Sequence, residues 1–263
     1  MKLLYIMYHY TNLNALMGIL GKESIIFRAT RYDKMNDPLE YIYAKNSILP
    51  HLSNIAINQN LKNDPDFEMS PYVICFSKSN DNLCMWKIYG QDGYGFILEF
   101  NENIICETAQ AAIEKYQWND VVQEITYAND SNMCAKIKKA QFIYNQHQIS
   151  DNTSDLYEIC SLIKRDDYYF ENEIRYMHPN HTIIEFTADD ITYDSEDYRY
   201  LKFRERNNAM VPYIEIIFPK EALKGITIGY KHDYANEKKI IELFLKKQGY
   251  LNKDLTINKS KFA

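Results

Sequence analysis

Short apolar and aromatic runs recur along the whole chain, and no helix intervenes between many of them. They occupy residues 3–10, 24–29, 71–77, 94–100, 167–177, 182–187, 198–204, 211–218, 224–229 and about 254–258. Runs of this length, rich in Val, Ile, Tyr and Phe, are typical of β-strands. Because strict strand–helix–strand alternation is missing, the pattern predicts an α+β fold with a mixed, largely antiparallel sheet and flanking helices.

Helical patterns fill most of the intervening sequence. Asn12 is a candidate N-cap for a short helix that stops at Gly21. In M-N-D-P-L-E (Met35–Glu40), Asp37 is placed as an N-cap, with proline at the first helical position and Glu40 three residues after the cap. The same two carboxylates are also candidate metal ligands or catalytic acids. Further helices are predicted at 80–89, over most of about 108–165, and at 234–248.

Nothing in the sequence marks a domain boundary. The chain has 263 residues with only 8 glycines and 7 prolines, and these do not gather into a linker. We therefore expect a single domain over 1–263, with a mostly helical insertion at about 101–165.

The charge balance limits the class of partner. Thirty basic and 36 acidic residues give a net charge of −6, which argues against a broad nucleic-acid-binding surface. Local basic groupings remain at Lys136-Lys138-Lys139, Arg204-Arg206 and Lys246-Lys247, and a solvated face explains each of them better than a binding site does.

Cysteine usage and hydropathy indicate a cytoplasmic protein. The five cysteines never form C-x-x-C, so neither a disulfide framework nor a structural zinc site is expected. The apolar start of the chain is interrupted at His9 and Thr11 before any cleavage pattern. No apolar run approaches the roughly 20 residues of a membrane span, so no membrane association is expected.

The segment D-Y-Y-F-E-N-E-I-R-Y-M, Asp167 to Met177, is the most informative for chemistry. On a continuous strand, alternation would place Glu171, Glu173 and Arg175 on one face. Phe170, Ile174 and Tyr176 would then share the other. Two carboxylates beside a guanidinium indicate either a ligand site or a solvent-facing strand with an ion pair.

Two other segments contain candidate site residues. His9 ends an apolar strand, where a side chain can emerge into a cleft, although a structural histidine is an equally simple interpretation. Ser77 ends another strand, and Trp86 and Tyr89 share one face of the next helix, where they could line a pocket or belong to the core.

The order of these pieces resembles domain-of-unknown-function family 2971, a bacterial family. The matching pieces are Y-H-Y-T, I-I-F-R-A-T, M-N-D-P-L-E, C-F-S, N-x-x-M-W-x-x-Y-G, G-Y-G-F-I-L-E-F, E-N-E-I-R, V-P-Y-I-E-I-I-F-P, G-I-T-I-G and T-I-N-K-S. The stretch 101–165 carries little of the resemblance.

The same order is distantly similar to the ADP-ribosyltransferase fold, which has split β-sheets. This similarity implies catalytic roles for Glu173, His9 and Ser77, with NAD as the substrate and no metal. Glu173 would stabilise the oxocarbenium-like transition state at the ribose. The resemblance also implies an NAD-binding group, namely Tyr10, Thr11, Trp86, Tyr89, Arg175 and Glu171. Arg175 would bind the pyrophosphate or pair with Glu171.

The resemblance implies an enzyme that transfers ADP-ribose to a protein or nucleic-acid acceptor, or hydrolyses NAD, as a toxin or phage-defence effector. The resemblance is compatible with a homo-oligomer or with a complex with a partner protein. One alternative is a metal-dependent nuclease or hydrolase using Asp37, Glu40, Glu171 and Glu173. The other is a non-catalytic nucleotide-sensing or interaction module.

Overall fold

The fold was analysed in a computed structural model. The structure describes residues 5–48, 70–116, 120–129, 131–132, 160–178, 184–187, 190–193, 201–250 and 255–263.

The described elements mix helices and strands along the chain, and most helices begin at a recognisable cap. The helices are α1 (Leu13–Ile19), α2 (Pro38–Ile48), α3 (Leu83–Ile88), α4 (Glu102–Tyr116) and α5 (Tyr234–Gln248). The Asn12 side chain accepts from the Ala15 amide at 2.8 Å, which confirms the predicted N-cap of α1. Asp37 accepts from the Leu39 amide at 2.9 Å and so caps α2.

Most strands follow the predicted runs with shifted ends, whereas four strands, at 121–124, 126–128, 163–165 and 190–193, were not predicted. The strands are β1 (Ile6–Thr11), β2 (Ile25–Arg31), β3 (Tyr72–Ser77), β4 (Phe96–Asn101), β5 (Val121–Glu124), β6 (Thr126–Ala128), β7 (Ile163–Arg165), β8 (Glu173–His178), β9 (Ile184–Thr187), β10 (Asp190–Tyr193), β11 (Lys202–Arg206), β12 (Ala209–Phe218), β13 (Leu223–Ile228) and β14 (Thr256–Lys259). A ten-stranded sheet runs in the order β11-β12-β2-β3-β1-β4-β13-β14, and β8 joins β3 to β5. Its pairs are antiparallel except β13 with β14, which confirms a mixed, largely antiparallel α+β fold.

The sheet splits at β3, because β1 and β2 share one edge of this strand. β2 pairs with its first residues, at Tyr72 and Val73, whereas β1 pairs with its last, at Ser77. The Cys75 carbonyl lies between these two pairings and is hydrogen-bonded by the His9 ring at 2.9 Å. The imidazole therefore occupies the split and satisfies a backbone group there.

One face of the sheet, here called the core face, packs on α1, α4 and α5. Its buried side chains include Met7, Phe27, Phe76, Leu98, Phe100 and Ile226, which meet Leu16, Ile105, Ile241 and Leu245 of the helices. These strand residues alternate with those of the opposite face, here called the polar face. By the strand registers the polar face carries Tyr8, Arg28, Cys75, Ser77, Glu99, Glu173 and Arg175.

Two smaller apolar clusters cover parts of the polar face. One forms where α3 packs on β1 and β4, through Tyr10, Met85, Trp86 and Ile97. The other contains residues of α2, β6 and β7, namely Ala44, Ala128 and Ile163, together with Val73 and Met177 of the sheet.

Two sequence expectations differ from the structure. The segment 101–165 contains α4 but also β5, β6 and β7, while residues 133–159 lie outside the described part of the chain. The strand expected over 167–177 begins only at Glu173, because Asp166–Glu171 forms a 3₁₀ helix. Asn172 ends this helix in the left-handed region, at φ 43°, and so turns the chain into β8.

Gly95 is required where β4 approaches the end of β1. A Cβ at this position would lie 2.3 Å from the Thr11 carbonyl oxygen and 2.8 Å from the Gly90 carbonyl oxygen. We expect Gly95→Ala to lower the free energy of unfolding by about 1–3 kcal/mol, measured by urea denaturation, because backbone must move. Gly18→Ala is the matched control, since a Cβ there meets nothing within 4 Å and should stabilise α1 by about 0.5–1 kcal/mol. Equal effects of the two changes would contradict the close approach.

Candidate functional site

Five charged side chains converge beneath the polar face, and we call them the buried charge cluster. They come from α2, β7, the 3₁₀ helix and β8, and they are Glu40, Lys164, Glu171, Glu173 and Arg175. Each side chain is at most 6% exposed. Buried charges of this kind are stable only when they are paired and hydrogen-bonded.

Arg175 lies at the centre of the cluster and is fully buried. Its Nε donates to Glu173 Oε1 at 2.7 Å, and its Nη2 donates to Glu40 Oε1 at 2.5 Å and to Glu173 Oε2 at 3.1 Å. Its Nη1 donates to the Ser161 carbonyl at 2.6 Å. The guanidinium therefore has two carboxylates and one backbone oxygen as partners, and it fixes the orientation of Glu173.

Lys164 joins the three carboxylates from the other side. Its Nζ lies 2.6 Å from Glu171 Oε2, 3.1 Å from Glu40 Oε2 and 3.3 Å from Glu173 Oε2. Three carboxylates thus share two cations, so the cluster carries one excess negative charge when all three are ionised.

The two glutamates of E-N-E have pKa values displaced in opposite directions. Burial acts to raise the pKa of Glu173, but Arg175 and Lys164 outweigh burial and lower that pKa to about 2. Burial raises the pKa of Glu171 above its ordinary value, ahead of the opposing effect of Lys164. Glu173 is therefore held as a carboxylate, whereas the proton of the pair is favoured on Glu171.

Glu171 reaches the cluster from outside the strand. The turn at Asn172 brings the end of the 3₁₀ helix back over β8, and the Asn172 amide donates to the Tyr169 carbonyl at 3.2 Å. Ser77 Oγ donates to the Glu171 carbonyl at 2.5 Å and holds this turn against β3. The sequence analysis predicted that the charged groups of this segment meet, but its assumption of one continuous strand was wrong.

Three tyrosines surround the carboxylate pair. Tyr89 donates from its hydroxyl to Glu171 Oε1 at 2.6 Å, and the Tyr127 hydroxyl accepts from the Glu173 amide at 2.8 Å. The ring of Tyr168 lies 5.0 Å from Lys164 Nζ, and its hydroxyl donates to Asp37 at 3.1 Å. Tyr89 and Tyr168 are half-buried, so the cluster lies one side chain below the surface there.

His9 does not belong to this site. β1 pairs with Ser77 through Tyr8, so the neighbouring His9 points to the core face, away from Glu173. Its ring packs edge-on against Phe27 at 5.0 Å and Phe76 at 6.0 Å. Burial lowers its pKa, which favours the neutral imidazole. The expected cleft shared by His9 and Glu173 is not formed, and the catalytic role expected for His9 is wrong.

Three residues expected to bind NAD are also turned into the protein. Trp86 is fully buried, with its Nε1 donating to Asp81 at 2.6 Å. Tyr10 is 6% exposed, and its hydroxyl donates to the Ser79 carbonyl at 2.9 Å. Thr11 pairs with Phe96, a residue of the core face. None of the three presents a surface to a ligand.

The expected role of Arg175 is corrected in the same way. Its donors are bound to Glu173, Glu40 and the Ser161 carbonyl, and its side chain has no exposed surface. It pairs with Glu173 rather than Glu171, and it is not accessible to a pyrophosphate. Of the expected site residues, the structure brings together Glu171, Glu173, Arg175, Ser77 and Tyr89.

Sequence reasoning missed Lys164 and assigned Glu40 to a cap. Lys164 follows the apolar residues of C-S-L-I, and a lysine entering such a run is the signal that could have identified it. The Glu40 carboxylate bonds Arg175 and Lys164 rather than closing a capping box.

Metal ligation was tested against the same geometry. In the described ranges, no group of three or more His, Cys, Asp or Glu side chains is arranged to hold a metal ion. The point where Glu40, Glu171 and Glu173 converge is occupied by Lys164 Nζ. None of the helices in the described residues has the length and apolar character that crossing a membrane requires.

The fold and the buried charge cluster define an α+β protein with an ionised polar site on one face of a largely antiparallel sheet. Residues 85–176 match the family model described as Protein of unknown function (DUF2971). The matched range contains Lys164, Glu171, Glu173 and Arg175, whereas Glu40 precedes it. Comparison with curated proteins and with solved structures gave no match, so none of the comparisons supports the expected similarity to the ADP-ribosyltransferase fold.

The two glutamates should differ in what they contribute to stability. Glu173→Gln is expected to lower the free energy of unfolding by about 3–5 kcal/mol, because the buried Arg175 guanidinium is left with Glu40 as its carboxylate. Glu171→Gln should cost on the order of 1 kcal/mol, since burial already favours its neutral form. The measurement is urea denaturation, with Glu124→Gln as an exposed control that should have almost no effect. Equal losses for the two cluster variants would contradict the assignment of charge.

Acid should weaken the fold through Glu173. A carboxylate whose pKa is lowered stabilises the folded state above its ordinary pKa of 4.5, and the contribution is lost as the pH falls through the folded value of about 2. The raised pKa of Glu171 has the opposite sign, so its contribution is present at low pH and fades as the pH rises. We expect the urea concentration at the unfolding midpoint of the wild type to decrease as the pH is lowered from about 4.5 to about 2. The midpoint of Glu173→Gln should decrease less over the same pH range. Parallel curves for the two proteins would count against this linkage.

Proposed function

We propose that the chain is a glycosyl-transfer enzyme that uses NAD as donor, with Glu173 and Glu171 as its catalytic pair. One observation carries the proposal, namely that two adjacent carboxylates share the Lys164 ammonium while their pKa values are displaced in opposite directions. Such a displacement lets one carboxylate stay ionised while its neighbour, with the higher pKa, gains a proton during the reaction.

The chemistry of N-glycosidic bond cleavage suits this pair. When the bond between nicotinamide and ribose breaks, nicotinamide leaves with the electron pair and positive charge develops on the ribose ring. Glu173, ionised over the ordinary pH range, would stabilise that charge. Glu171 would enter this step as a carboxylate and accept the proton of the attacking hydroxyl, of a macromolecular acceptor or of water, since its raised pKa makes it the stronger base of the two glutamates.

The donor would enter where the tyrosines cover the cluster. Tyr168 is half-buried and donates to Asp37 through one hydroxyl bond of 3.1 Å, so a rotation of this ring would uncover Lys164. On the polar face the half-buried Cys75 lies beside Glu173 and offers a second approach. Ser77 and Tyr89 would act as positioning residues, because both hold Glu171.

Release of nicotinamide from NAD tests the proposal. We expect the wild type to release nicotinamide in the presence of cell lysate, and Glu171→Gln to reduce the rate by about 10²–10⁴-fold through loss of the proton acceptor. Glu173→Gln should reduce it by at least about 10²-fold. The readout is nicotinamide by chromatography, alongside transfer of label from radiolabelled NAD.

Three controls separate this proposal from its alternatives. Glu124→Gln, an exposed carboxylate paired with Lys78, should leave the rate unchanged. EDTA should have no effect, whereas a metal-dependent hydrolase would lose activity. A folded wild type that binds NAD in calorimetry without turnover would refute the enzyme and favour a nucleotide-sensing module. Absence of both binding and release would refute NAD as the ligand.

A further inference from the structure

A second charged group on the polar face lies outside the buried charge cluster. Arg28 is on β2, and Arg204 and Arg206 are on β11; we call these three residues the arginine cluster. In the sheet, β12 lies between β2 and β11, and its Tyr213 is flanked by two of the guanidiniums. The Arg28 guanidinium lies 5.3 Å from the centre of the Tyr213 ring, and that of Arg204 lies 5.7 Å from it.

The hydrogen bonds of the arginine cluster do not use all of its N–H donors. Arg204 Nη2 donates to Thr30 Oγ1 at 2.6 Å, but Arg204 Nε is buried and has no hydrogen-bond partner in the described part of the chain. Arg206 donates to Asn36 Oδ1 at 3.0 Å and to the Lys34 carbonyl, both uncharged acceptors. A buried donor without an acceptor destabilises the folded state unless a ligand or water satisfies it.

The positive charge of the arginine cluster is not balanced by carboxylates. Within the ranges that the structure describes, none of its three arginines forms an ion pair. Glu215 stands opposite Arg28 in the strand register, but its carboxylate is bound to Lys202 at 2.6 Å. Burial lowers the pKa of Arg204, and repulsion by Arg206 and Arg28 lowers it further. The folded protein therefore holds these guanidiniums close together at a cost in stability.

We propose that Arg28, Arg204 and Arg206 bind a phosphate group of a small phosphorylated ligand. A guanidinium presents paired N–H donors that match phosphate oxygens, and the charge of the anion would offset the repulsion among the three cations. Arg204 Nε would gain the acceptor that it lacks. A small ligand fits better than a polymer, because three arginines on a chain of net charge −6 do not form an extended basic surface.

The arginine cluster does not depend on the glycosyl transfer proposed above. Both groups lie on the polar face, but β3 separates β2 from β8, which carries Glu173. Loss of one function therefore need not abolish the other.

Binding of inorganic pyrophosphate, measured by isothermal titration calorimetry, tests the site. We expect the wild type to bind it, Arg28→Gln and Arg204→Gln to bind at least about tenfold more weakly, and Lys239→Gln to bind within about twofold of the wild type. Lys239 is the control because it is an exposed lysine on α5, which packs on the core face. Pyrophosphate should raise the thermal midpoint of the wild type more than that of Arg28→Gln. Glu171→Gln should keep full pyrophosphate binding, which separates this site from the proposed catalysis.

The stability of the variants decides between a ligand site and a structural one. Arg28 is exposed, so Arg28→Gln should fold, and removing its repulsion should leave the midpoint without ligand unchanged or higher. No pyrophosphate binding, or equal weakening by Lys239→Gln, would overturn the proposal. So would tighter, steeply salt-dependent binding of a single-stranded oligonucleotide, which would assign the surface to nucleic acid.

Discussion

The burial of the Arg175 guanidinium is the constraint on which the polar side of the fold depends. A cation without exposed surface requires acceptors on every donor, and Arg175 draws them from β8 itself, from the Ser161 carbonyl and from α2. Glu40 lies 135 positions away in the sequence, so one interaction fixes α2 over the sheet. The Arg175 guanidinium binds the carboxylates of Glu40 and Glu173, and Glu171 lies beside them. A second cation is needed to balance three buried carboxylates, and the Lys164 ammonium supplies it.

Local chemistry was readable from the sequence, whereas the long-range partners were not. The Asn12 cap and the C-terminal helix at 234–248 follow from residues within one or two turns, and the structure confirms both. The residue types of E-N-E-I-R indicated a charged cluster. Glu171 joins this cluster through a turn at the left-handed Asn172, and not through the expected continuous strand. Glu40 was predicted as part of a capping box or as a metal ligand or catalytic acid, and its ion pair with Arg175 was not predicted. Lys164 follows the apolar residues of C-S-L-I, which indicates burial, but tertiary packing determines the carboxylates that it contacts.

His9 shows why a face is harder to predict than a strand. The flanking tyrosines of Y-H-Y are half-buried or buried on the polar face, and the imidazole between them falls on the core face. Since side chains alternate, a difference of one residue moves a group to the opposite side of the sheet. The split between β1 and β2 adds a reason for a histidine there, because the ring satisfies the Cys75 carbonyl where no strand does. That split is a property of the whole sheet and is invisible along β1 alone.

The two charged groups on the polar face differ in how their charges are balanced, and this difference suggests different roles. In the buried charge cluster each ion has a counter-ion within 3.3 Å, so its charges are paired within the protein. In the arginine cluster the guanidiniums repel one another, and one buried donor has no acceptor in the described part of the chain. A folded chain retains such an unfavourable group when an anion repays the cost on binding. We therefore propose different roles for the two groups, with phosphate binding at β2 and β11 and glycosyl transfer at β8, and neither role requires the other.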